Sequence, residues 1–172
     1  MKKIIYLVLF FATAITATAQ NFDEVGNLKN VTETRVTSAM FKMISGIDST
    51  DPEFADLMKT VGNLKDLRVY TTDNKQSAQK MKAFTDGLIS KNKMELLMSV
   101  KEEGQKFTFH MRKGNTDTKI RELVMFMDDA TGEKSDTVLL VITGDLDLNE
   151  IAKITQRMNI PGQKQIEKAT QK

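Results

Sequence analysis

Cysteine and tryptophan are both absent from the 172 residues, and there are only two prolines, two tyrosines and one histidine. Without cysteine the chain has no disulfide, no thiolate nucleophile, no thiolate metal site and no redox dithiol. With so few amphipathic aromatics, an aromatic cage or a carbohydrate-stacking platform is not expected. Histidine chemistry has a single candidate, His110. An excess of one charge is missing too: 25 Lys and Arg stand against 23 Asp and Glu, with no basic block. Nucleic acid is therefore not an expected partner, because the electrostatic footprint for a phosphate backbone is lacking.

What is present begins with an address. Lys2 and Lys3 precede the apolar run Ile4–Ala14, and Ala17-Thr18-Ala19 follows it. A positive start, a short apolar core and a small-residue cleavage site make a secretory signal peptide. The run is shorter than the ~20 residues that span a bilayer. The expectation is a signal peptide over 1–19, cleaved near Ala19, and a product beginning at Gln20 that is periplasmic or secreted. No Cys follows the cut, so no stable lipid anchor is expected. Losing Lys2 and Lys3 makes the basic and acidic counts equal. The 153 residues from Gln20 onward suit one domain whose stability comes from core packing.

Residues 20–30 read as a polar lead-in, 31–160 as one α+β domain and 161–172 as a flexible tail. Val31–Thr37 is rich in β-branched residues and predicts a strand. Ser38 is a candidate cap for a short helix with Met40, Met43 and Ile44 on its apolar side. Asp51-Pro52 opens a helix carrying Phe54, Leu57, Met58 and Val61, which Gly62 ends. Leu64–Thr71 is a strand. Asp73 and Gln76 form a capping-box pattern for a helix to about Ser90, with Ala78, Met81, Phe84, Leu88 and Ile89 inward.

The period then changes from helix to strand. Met94, Leu96, Met98 and Val100 alternate with polar residues, as do Phe107, Phe109 and Met111. The turn at 102–105 joins them as a hairpin, with Thr108, His110 and Arg112 on the wet face. Ile120–Met127 and Val138–Ile142 hold continuous apolar runs, the mark of strands near a sheet centre. Gly144 and Asp145 are expected to break the last strand. Asp147 and Glu150 then cap a final helix lined by Ile151, Ile154, Thr155 and Met158, which Pro161-Gly162 stops. The expected fold class is α+β: a mostly antiparallel sheet of about six strands with helices packed on it.

Candidate chemistry is sparse. Asp145 and Asp147 sit together at a strand end and are the weak metal candidates, although the spacing is not that of a calcium loop. Asp128, Asp129 and Glu133 share one loop, where ordinary turn chemistry is the simpler account. Met40, Met43, Met125 and Met127 are thioethers of the kind that suit Cu(I), yet each falls on a predicted apolar face. No catalytic residue and no cofactor is assigned.

The stretches Val36–Met43, Leu64–Val69, Met94–Lys101, Glu122–Met125 and Ile142–Leu148 carry a family likeness. Together they resemble the small exported proteins of Bacteroidota grouped as domain-of-unknown-function family four-two-five-two. The resemblance implies an envelope role and carries over no catalytic residue. Many members look like lipoproteins, whereas Gln20 stands here where their Cys would be. The reading favoured is a non-catalytic protein-interaction module of the envelope, its partner another envelope protein or a second copy. The alternative is a carrier of a small ligand or metal, and a third reading is a hydrolase using Asp145, Asp147 or His110.

Overall fold

The computed structural model describes residues 21–46, 55, 58, 62–102, 104–116, 119–129 and 136–147. The signal segment, Glu133, the helix expected after Asp147 and the tail lie outside the described residues. The elements run α1 (Asp23–Gly26), β1 (Thr32–Thr37), α2 (Ser38–Ser45), β2 (Leu64–Thr72), α3 (Lys75–Lys91), β3 (Glu95–Glu102), β4 (Gln105–Lys113), β5 (Lys119–Asp129) and β6 (Thr137–Asp147). Ala55, Met58 and Gly62, described between α2 and β2, are also helical, and Met58 is buried. The strands make one six-stranded sheet in the order β1-β2-β6-β5-β4-β3, with every neighbouring pair antiparallel. The fold is α+β, and the two continuous apolar runs lie in its two central strands.

Helix α3 carries the chain from β2 across the sheet to β3, the far edge. Its cap is Asn74 rather than Asp73: the Asn74 side chain accepts from the backbone N–H groups of Gln76 at 3.1 Å and Ser77 at 3.0 Å. Met81 and Leu88 point into the core, flanked by Phe84 and Ile89. They meet Tyr70 of β2, Leu139 and Val141 of β6, and Val124 and Phe126 of β5, all buried. Fully burying side chains of this size contributes about 1.5–3 kcal/mol each, so this layer is a large source of stability. Residues 21–30, expected to be a polar lead-in, hold α1 and supply Phe22 and Val25 to the same core.

Other local expectations change with tertiary context. Thr37 rather than Ser38 stands at the N-cap position of α2, without a side-chain capping hydrogen bond, and Phe41 is the helix's buried residue, while Met40 and Met43 are 49% and 73% exposed. The helix follows β1 without a break, so the strand's exit sets which side faces inward. Strand β6 is not broken at Gly144 but runs on to Asp147. Gly144 is required there for space: a Cβ would lie 2.7 Å from the Asn63 carbonyl oxygen and 3.0 Å from Leu64 Cα, beside a register shift in β2. Strand β3 bulges between Leu96 and Met98, which puts those two side chains on opposite faces rather than on one.

Candidate functional site

The face of the sheet under α3 changes character from one edge to the other. Beneath the helix it is apolar, through Tyr70, Leu139, Val141, Val124 and Phe126. At β4 the same face turns polar, because Thr108 pairs with Phe126, His110 with Val124 and Arg112 with Glu122. The hairpin's wet face thus looks toward the helix. Between α3 and the β3–β5 strands this leaves a cleft of about 390 Å³. Its walls include Asp86 and Ile89 of α3, Leu96 and Ser99 of β3, and Thr108 and His110 of β4. Lys106 and Asp128 close one end, and Leu96, 59% exposed, stands at the mouth.

His110 is held neutral in this cleft. Burial pushes its pKa below the ordinary value of 6.5, partly offset by the Asp86 carboxylate. Its Nδ1 is shut off from solvent without a hydrogen-bond partner. Thr108 Oγ1 donates to the Phe126 carbonyl at 3.5 Å. The cleft therefore gathers a histidine, several hydroxyl residues and two carboxylates without the hydrogen bonds that would make a nucleophile and base work together. Sequence spacing showed that Thr108 and His110 share a face. It could not show Asp86 and Ser99, which the crossing of α3 and the bulge in β3 bring in.

Asp145 and Asp147 stand elsewhere, on the far part of β6. Register places Asp145 two strands over and four residues along from His110, roughly 15 Å away. Asp145 is exposed, and Asp147 Oδ2 lies 3.9 Å from Lys119 Nζ. Among the described residues no three His, Cys, Asp or Glu groups come together as a metal site. Asp128 of the expected acidic loop lines the cleft instead.

The opposite edge carries a dense polar network. Arg68 Nε donates to Asp66 Oδ2 at 2.7 Å, and Arg35 Nε donates to Asp66 Oδ1 at 2.8 Å. Tyr70 donates its hydroxyl hydrogen to Glu33 Oε1 at 3.0 Å, and the Arg68 guanidinium lies 4.6 Å from the centre of the Phe22 ring. Burial works against ionisation of Asp66, but the two arginines outweigh it and hold its carboxyl below the ordinary 3.8. Burial raises the Tyr70 phenol, with Glu33 adding to the effect and Arg68 opposing it.

Against this frame of elements, a family model described as "Domain of unknown function (DUF4252)" matches residues 22–154. The chain belongs to the DUF4252 family. The match opens at Phe22, so α1 and its core residues fall within the DUF4252 domain, as do all nine elements described above. No curated protein and no solved structure matches the chain. Among the described residues, no helix is long and apolar enough to cross a membrane.

The face of the DUF4252 sheet turned away from the buried layer is apolar as well. Three rows cross it: Val36, Leu67, Ile142, Leu123 and Met111; then Val69, Leu140, Met125, Phe109 and Met98; then Val138, Met127, Phe107 and Val100. Leu123 is buried and the others are half-buried, unlike their counterparts under α3.

Proposed function

We propose that this DUF4252 chain is an exported, non-catalytic protein-interaction module of the cell envelope. The observation that carries the reading is the second apolar face. A sheet with one polar face needs cover on one side only. Here fourteen apolar side chains in three rows stand on the side away from α3, and all but Leu123 retain partial exposure. Apolar surface of that extent is the usual mark of a protein contact. The export step rests on the signal pattern at 1–19.

The test is light scattering on the chain from Gln20, together with capture of envelope proteins by it. Self-association or a defined envelope partner is expected, and Val69→Glu should abolish either. A strictly monomeric chain that captures nothing overturns the reading.

The α3 cleft favours a second reading, a carrier of a small ligand, since its volume lies within the range of small-molecule sites. Calorimetry with Cu(I), Ca²⁺ and lipids separates the two. Absence of both heat and thermal shift removes the carrier.

A further inference from the structure

We infer that the β3 edge, with the cleft behind it, is a docking rail for an extended, acidic segment of a partner protein. The inference rests on the interaction reading above and says where the partner binds and what chemistry it carries. Among the described residues strand β3 ends the strand order, and one of its sides has no strand neighbour. An edge of that kind adds a further strand through main-chain hydrogen bonds, with alternate side chains supplying selectivity. Natural edges are usually guarded by inward charges, bulges or covering elements. In β3 the bulge lies between Leu96 and Met98, leaving Met98–Glu102 in regular register with β4. Charged residues occur at the ends, Glu95, Lys101 and Glu102, and not between.

Two further observations fix the chemistry of the segment. Leu96 is exposed on the cleft side, so an apolar side chain from an added strand would bury it. At the other end, Lys101 sits directly across from Lys106. Directly opposed like charges destabilise a sheet. Among the described residues neither ammonium has a carboxylate within ion-pairing distance. Asp128 stands across from Lys106 on its other side, so Lys101 is the outermost charge of the row, and a carboxylate on an added strand beside it offsets the repulsion. The fitting ligand is thus an extended segment of about five residues, apolar at the Leu96 end and acidic at the lysine end, because five strand residues span about 17 Å.

Selection of random displayed decapeptides on the chain from Gln20 tests this. Enriched peptides should alternate apolar and polar residues and carry Asp, Glu or a free C-terminus at one end. A synthetic enriched peptide should bind Leu96→Glu and the Lys101→Glu/Lys106→Glu double variant at least about tenfold more weakly, and exchanging its acid for Lys should restore binding to the double variant. All three positions are exposed, and circular dichroism verifies that the variants fold. Failure to enrich any peptide, or equal binding to wild type and variants, overturns the inference. Peptides lost on Val69→Glu and retained on Leu96→Glu overturn it too, while leaving the interaction reading in place. No peptide, no self-association and no captured partner would sink both.

Discussion

The two edges of this sheet are built on opposite principles. At β1 the charges answer one another: Arg35 and Arg68 share Asp66, and Tyr70 holds Glu33. The strand is six residues long, and α2 packs on it and on β2. At β3 two lysines face each other, a leucine stands exposed, and the ion pair between Glu95 and Lys113 is half-exposed on both sides. The contrast shows how one sheet can concentrate its internal ion pairs and hydrogen bonds at one border and, among the described residues, place few at the other.

Removing the guanidinium from the closed border should have the largest effect. Arg68 has only 14% of its side chain exposed and touches Asp66, Tyr70 and Phe22. Arg68→Ala leaves a part-buried carboxylate short of its partner and is expected to cost about 3 kcal/mol. Urea denaturation measures the loss, and hydrogen exchange should locate it in β1. A loss below about 0.5 kcal/mol would mean that the network is decorative.

Acid should separate the borders in order. His110 has a lowered pKa in the fold, so the unfolded chain takes up its proton first as pH falls. Its contribution is complete above the ordinary 6.5 and declines below it. Asp66 is also lowered, so its contribution persists to the ordinary 3.8 and is lost below that, as pH falls through its folded value. Hydrogen exchange between pH 7 and pH 3 should therefore loosen β4 before β1. Simultaneous loosening would contradict the assignment, and His110→Gln should flatten the first phase.

The smallest effect is expected at the open border. Leu96→Thr puts a β-branched residue of good strand propensity on an exposed strand and should change stability by no more than about 0.5 kcal/mol. A larger loss would show that Leu96 packs within the chain rather than waiting for a neighbour.

Part of this was legible in the residues themselves. The runs at Leu123–Met127 and Val138–Ile142 announce central strands, since apolar residues at successive positions put apolar side chains on both faces of the sheet. The spacing of Met81, Phe84 and Leu88 likewise gives α3 and its inward side. Where local pattern and tertiary context diverge, pattern loses. Met40 and Met43 look like a core stripe, yet Phe41 is buried because the strand before it sets the helix's rotation. The cleft was not legible, because a one-residue bulge in β3 moves Leu96 to the other face and a helix's crossing angle has no local signature.

The position of β6 has a consequence for how the molecule comes into being. Among the described residues it is the last strand along the chain and the only one that touches both β2 and β5. Until it arrives, β1–β2 and β3–β4–β5 are two small separate sheets, each with an apolar flank exposed to water. Pairing Leu64 with Gly144 closes a long loop, and folds dominated by such distant pairings form slowly. Residues 137–147 therefore act as a keystone: a chain cut short of them has pieces of the arch and nothing to lock them.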